Sequence, residues 1–258
     1  MNRIETMFAE YRRTGRKALV GYLTGGDPDM ARSEQDIREA LKSGVDILEL
    51  GVPFSDPTAD GPTIQEASQR ALAAGADVSG ILGMVKRLRA DFDNPIVLFG
   101  YANPLFAYGY DKVCADAAAA GADGMLVVDL PCEEAPELTG HMSEHDLVFI
   151  PLIAPTTPKP RMAAVLKNAR GFVYYIMVTG VTGTRSTVAA GIAEHIAQIR
   201  ECTELPVAVG FGVGTGEQAR DAARAADAVV VGSALIRAAR EDRLAEFVRE
   251  LHSGISAT

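Results

Sequence analysis

The 258-residue chain has three cysteines, no cluster of basic residues and no tryptophan. Its thiols, Cys114, Cys132 and Cys202, lie too far apart for a metal motif, and an odd number argues against a disulfide framework. Reduced thiols in a cytoplasmic protein are expected. With 25 Lys and Arg against 34 Asp and Glu, the formal charge is −9. Such a chain is a poor partner for DNA, RNA or an anionic membrane. A small anionic ligand is still open, because backbone N–H groups bind phosphate without Lys or Arg. No apolar run approaches the length of a membrane span. The opening "MNRIETMFAEYRRTGRK" carries acids and lacks an apolar h-region, so a cytoplasmic location is expected.

Against these absences stand many short apolar runs. Ile4, Met7, Phe8 and Tyr11 have the spacing of an amphipathic helix that ends near Gly15. Eight runs follow: 18–23, 46–52, 95–101, 124–130, 147–153, 171–178, 206–212 and 228–234. Between them lie Ala-rich, charged stretches of helical period, such as 33–44 and 216–226. Buried strands alternating with helices imply a parallel sheet, and eight such units in this length imply one (β/α)₈ TIM barrel with an extra N-terminal helix. That helix is expected to cover the barrel bottom. Residues 61–93 are long enough for two helices, and 179–191, polar and Gly-rich, is expected to be a mobile loop over the strand ends. No linker divides the chain, so residues 1–258 are expected to form one domain.

The stretch "DILELGVPFSDPTADGP" at 46–62 puts a carboxylate, Glu49, inside an apolar run. Alternation sets Ile47, Glu49 and Gly51 on one face and Asp46, Leu48 and Leu50 on the other. If the leucines meet the helices, Glu49 points into the barrel near its mouth. An unpaired carboxyl there is costly to ionise, its pKa rises, and it is suited to exchange protons near neutrality. The plainer alternative is a buried Glu satisfied by a hydroxyl or a backbone amide. Asp60, in "DGPT", reads locally either as a helix cap or as the second member of an acid/base pair. Asp56, before Pro57, is a turn former.

Glycines cluster at three later strand ends: Gly180 and Gly183; Gly210, Gly212 and Gly214; and Gly232 followed by Ser233. Barrel enzymes hold phosphate after strands 7 and 8 at a short helix N-terminus, where glycine lets backbone N–H groups approach the ligand. Tyr22, Phe99, Tyr101, Leu126, Ile153, Tyr174, Ile176 and Phe211 sit at strand ends between acids and glycines. They read either as barrel core or as a flat apolar slot for a ring.

Taken together, "GYLTGGDPD" (21–29), the block at 46–65, "FGYANP" (99–104), "DGMLVVDLPCEE" (123–134), "TGVTGTR" (179–185), "GFG" (210–212) and "VVVGSA" (229–234) closely resemble the tryptophan synthase alpha chain family over nearly the whole length. The resemblance implies retro-aldol cleavage of indole-3-glycerol phosphate to indole and glyceraldehyde 3-phosphate, with no metal or organic cofactor in this chain. It implies that Glu49 protonates C3 of the indole and then takes the side-chain hydroxyl proton, while Asp60 bonds the indole N–H. It assigns phosphate to backbone around Gly183, Gly212, Gly232 and Ser233. It assigns the ring to Tyr22, Phe99, Leu126, Tyr174 and Phe211, adds Tyr101 to the pocket and loop, and has Thr182 meet Asp60 on closure. It further implies an α₂β₂ complex with a pyridoxal-phosphate β subunit, to which indole passes through a tunnel, and mobile loops at 53–60 and 179–190. The lack of tryptophan suits an enzyme made when tryptophan is scarce.

Thr58, Met177, Tyr22 and Phe99 depart from the commonest residues of the family; none of them is one of the two acids or the glycines. Three other readings stay open at this point: a free-standing indole-releasing lyase, a non-catalytic activating subunit, and a phosphate-binding barrel of other chemistry.

Overall fold

A computed structural model describes residues 2–176, 185–210 and 212–256, leaving out the side chains of 185–190. The chain opens with helix α1 (Arg3–Thr14). Asn2 and Glu5 close a reciprocal capping box at its start, and Gly15 ends it in the left-handed region at φ 72°. There follow β1 (Ala18–Thr24), α2 (Met30–Ser43), β2 (Ile47–Gly51), α3 (Pro62–Ala73), α4 (Val78–Arg89) and β3 (Ile96–Gly100). Next come α5 (Ala102–Tyr108), α6 (Tyr110–Ala120), β4 (Gly124–Val127), α7 (Pro136–Glu144), β5 (Val148–Phe149), β6 (Leu152–Ile153) and α8 (Lys159–Leu166). The chain continues through β7 (Val173–Ile176), α9 (Arg185–Arg200), β8 (Val207–Gly210) and α10 (Gly216–Ala223), and finishes with β9 (Ala228–Val231), α11 (Ser233–Arg240) and α12 (Leu244–Ser256).

All the strand pairings are parallel, in the order β5-β4-β3-β2-β1-β9-β8-β7-β6. The run at 147–153, expected as one strand, is split. Its first half pairs with β4, where Ile150 N–H donates to Met125 O. Its second half pairs with β7, where Tyr174 N–H donates to Pro151 O. Pro151, whose C=O faces β7, lies between them; β5 and β6 are two short pieces of one barrel strand, and the sheet closes through the chain itself. With that strand counted once, the order is that of the eight-unit barrel read from the sequence.

Alternation sorts the side chains into two layers. Val20, Ile47, Val97, Leu126, Val148 and Ala208 pack inside the barrel, and Ile4, Phe8 and Tyr11 of α1 join them from below. Leu19, Leu48, Leu50, Leu98 and Met125 face outward among the helices. The N-terminal helix therefore plugs the bottom, as its spacing predicts. Residues 61–93 hold two helices, α3 and α4, also as expected. The expected loop at 179–191 is corrected in its second half: α9 begins at Arg185. Its first half lies outside the described residues. No helix among the described residues is long and apolar enough to cross a membrane.

Candidate active site

Strand β2 carries Glu49 between inward Ile47 and the strand end. Tyr22 of β1 lies in register with it on one side and Val97 of β3 on the other. Glu49 is 0% exposed, and among the described residues neither carboxylate oxygen has a hydrogen-bond partner. No hydroxyl or amide among the described residues holds it as a structural Glu. Burial lifts its pKa to about 8, because among the described residues no hydrogen bond stabilises the charged form. At neutral pH this group carries a proton.

Asp60 sits on the loop that follows β2, half-buried above the same mouth. Burial raises its pKa to about 6, against a hydrogen bond from Tyr101 that lowers it. That bond is 3.0 Å from Tyr101 Oη to Asp60 Oδ2, and the same hydroxyl accepts from Ala59 N–H at 3.0 Å. Phe54 packs on the Tyr101 ring at 5.2 Å between centroids. The cap reading of Asp60 fails on geometry: the cap residue of α3 is Gly61, with no side-chain cap bond, and Pro62 opens the helix. Asp56 forms a local turn with Ser55 and Thr58. The two acids thus have different surroundings and separated pKa values, the pattern of an acid/base pair.

Tyr101→Phe tests how the loop is held. It removes the partner of both Ala59 N–H and Asp60, and the bond that lowers the Asp60 pKa. The expected result is an acid-side limb of the pH–rate profile displaced upward from about 6, with about 1 kcal/mol less loop docking. A profile identical to that of the unsubstituted chain would mean that the hydroxyl does not tune Asp60.

Glu49 opens into a cavity of about 180 Å³. Tyr22, Phe99, Tyr174, Gly212, Gly232 and Ser233 line it, as the sequence predicts. Tyr22 and Phe99 meet edge to face at 5.0 Å. The hydroxyls of Tyr22 and Tyr174 lie over glycines of neighbouring strands. A Cβ added at Gly51 would stand 2.3 Å from Tyr22 Oη, and one at Gly210 would stand 2.6 Å from Tyr174 Oη. The absence of a Cβ at Gly51 and Gly210 leaves room for these tyrosines, and Gly210 also lines the cavity. Gly214 is occupied with Gln218 at the start of α10.

Three expected positions differ. Leu126 pairs in register with Phe99 and is fully buried, but the cavity does not reach it. Tyr101 holds the loop and does not line the cavity. Ile153 faces outward, among Met162 and Tyr175. Thr182, Gly183 and Phe211, with Gly180 and Met177, lie outside the described residues. The sequence reading missed Ile64, Val213 and Arg237, which also line the cavity. Arg237 was findable: it is four residues after Ser233 on α11, hence on the same helix face. A larger groove of about 840 Å³ runs beside the break between β5 and β6. Its one carboxylate, Asp129, accepts from Ala102 N–H, and its arginines are paired, Arg161 with Glu133 and Arg170 with Glu5 and Asp146, so it lacks the unpartnered acid that marks the smaller cavity.

The profile of the tryptophan synthase alpha chain family matches residues 8–253. The chain is 51% identical over 257 residues to the tryptophan synthase alpha chain of Geobacter sulfurreducens, covering all of this chain and 97% of that one. It is 52% identical over 238 residues to that of Gluconobacter oxydans, covering 92% and 88%. Among solved structures, a chain of tryptophan synthase from M. tuberculosis superposes with a TM-score of 0.92 at 36% identity, covering 99% of each. Tryptophan synthase subunit alpha from Legionella pneumophila gives 0.91 at 36%, covering 100% of each. The chain belongs to the tryptophan synthase alpha chain family.

Proposed function

We propose that this lyase-family chain cleaves indole-3-glycerol phosphate by a retro-aldol reaction, with Glu49 as acid and base and Asp60 as the partner of the indole N–H. The observation that carries the reading is Glu49: a buried carboxyl with no partner among the described residues, facing an aromatic-lined cavity. The indole is a poor leaving group until C3 is protonated. Glu49, neutral at pH 7, gives C3 that proton, and positive charge develops toward the ring nitrogen. Asp60, ionised above about pH 6, accepts the N–H and stabilises that charge. The Glu49 carboxylate then removes the side-chain hydroxyl proton. The C–C bond breaks, its electron pair restores the aromatic ring, and the aldehyde of glyceraldehyde 3-phosphate forms. Glu49 ends protonated, as it began, and the indole keeps the proton at C3.

The ring lies against Tyr22, Phe99 and Tyr174. The phosphate lies at the other end, on backbone N–H groups around Gly232 and Ser233 at the start of α11, with Gly212 close by. Gly183, Thr182 and Phe211 belong to the same proposal on the strength of the sequence resemblance. The reaction uses no metal or organic cofactor in this chain. The subunit acts in the cytoplasm with a pyridoxal-phosphate β subunit, as α₂β₂, and hands indole to it.

The test is indole release from indole-3-glycerol phosphate by the purified chain, alone and with a β subunit from the same source. Slow release that the partner accelerates strongly is expected. Fast release by the chain alone would favour a free-standing lyase, and no release in either case would overturn the proposed chemistry.

A further inference from the structure

The cavity has a cation that the backbone account of the phosphate does not use. Arg237 is the only basic side chain among the described residues that line it, as Glu49 is the only acidic one. It stands one turn beyond Ser233 on α11. Side chains in a helix lean toward the N-terminus and cover the preceding turn, so the guanidinium reaches back toward the turn where the substrate phosphate would lie. Here it donates to Thr63 Oγ1 at 3.4 Å, a long bond that is easily given up. Its helical neighbour Arg240 is already directed to Glu66 of α3. Among the described residues Arg237 makes no ion pair, and the only acid among them that lines the cavity, Glu49, is neutral at pH 7.

We infer that Arg237 is a substrate-binding residue that takes the phosphate dianion from the open side while the backbone of Gly232 and Ser233 takes it from below. This deepens the proposed function and rests on it for the identity of the substrate. The guanidinium leaves Thr63 and forms charge-assisted bonds to phosphate oxygens, which are stronger than a neutral hydroxyl contact. Because Thr63 is on the first turn of α3, three residues after Asp60, the same exchange frees the base of the catalytic loop as the phosphate arrives.

Steady-state kinetics of Arg237→Ala, Arg237→Lys and Thr63→Val, with the β subunit present, separate the roles. Arg237→Ala is expected to raise KM about tenfold, the lower end for a hydrogen bond to a charged group because the site is open to solvent. Its kcat is expected to stay within about twofold, because the phosphate contact is the same in ground and transition states. Arg237→Lys should recover most of the KM, and Thr63→Val, which deletes only the resting contact, should leave KM unchanged. The KM of the unsubstituted chain should also rise more steeply with salt than that of Arg237→Ala. An unchanged KM in Arg237→Ala, or an equal rise in Thr63→Val, overturns the inference. Inorganic phosphate binding, measured by calorimetry without turnover, gives a second reading. Weaker binding to Arg237→Ala supports the inference even if no indole is released, and equal binding overturns it. Absence of indole from the unsubstituted chain counts against the proposed reaction alone.

Discussion

Glu49→Gln is expected to lose at least about 10⁴-fold in kcat while still binding indole-3-glycerol phosphate, because one side chain gives and takes a proton and each transfer is worth roughly 10²–10⁴-fold. Gln keeps the size and the buried, unpartnered surroundings, so the cavity should keep its shape. Loss of binding equal to loss of turnover would make Glu49 a structural residue. The same substitution has a second, pH-dependent signature. In the folded chain the Glu49 pKa is about 8; unfolded, it returns to roughly 4.3. The folded state therefore holds a proton that the unfolded state has lost throughout that window. The stability that neutral Glu49 permits is fully present below about pH 4.3 and is lost as pH rises toward 8, flattening above it. Gln cannot ionise and escapes that loss. Glu49→Gln should therefore gain stability relative to the unsubstituted chain between pH 5 and pH 9, by a few kcal/mol at most. Denaturant melts at the two pH values measure it, and a difference that does not change with pH would mean that Glu49 is not held neutral.

Asp60→Asn is expected to lose about 10²–10³-fold in kcat, the scale of removing one electrostatic contact to charge that develops in the transition state. Asn still offers an oxygen to the indole N–H but no negative charge. Because Gly61, not Asp60, is the cap of α3, stability should move by no more than about 0.5 kcal/mol, the range for substitutions away from caps and cores. A fall of several degrees in Tm would restore the cap reading. The two acids also set the pH profile. Asp60 must be ionised, so kcat/KM rises through about pH 6. Glu49 must be protonated, so kcat/KM falls through about pH 8. The bell belongs to the free enzyme, and Asp60→Asn should remove its acid limb while leaving the basic one.

The inward direction of Glu49 was legible in the sequence because a period of two leaves little choice once Leu48 and Leu50 are placed on the helices. Its lack of a partner was not legible, since that depends on strands β1 and β3 from elsewhere in the chain. Asp60 was ambiguous for the same reason. "DGPT" is a plausible helix start, and only Tyr101, 41 residues away, shows that the carboxylate is used otherwise. The barrel could be read from eight runs, but the change of partner within the fifth, from β4 to β7, depends on strands from elsewhere in the chain. The start of α9 was misread because Thr, Ser and Gly between 182 and 191 imitate a loop, and propensity yields to tertiary packing. That Gly51 and Gly210 also make room for the Tyr22 and Tyr174 side chains could not be read from the sequence, since those tyrosines come from neighbouring strands.

The split fifth strand divides the sheet into two sequential arms. β1 to β5 form one, bearing Glu49 and, on the loop after β2, Asp60; β6 to β9 form the other, leading to Gly232, Ser233 and Arg237. Among the described residues the only backbone ladder between the arms pairs Ala18–Gly21 with Ala228–Val231, and opposite it they are joined by the covalent link through Ile150 and Pro151. The arms resemble the jaws of a calliper with that ladder at the pivot. If the proposed roles hold, the proton-transfer group lies on one jaw and the anion contacts on the other, so a substrate held at both ends would bridge the two arms.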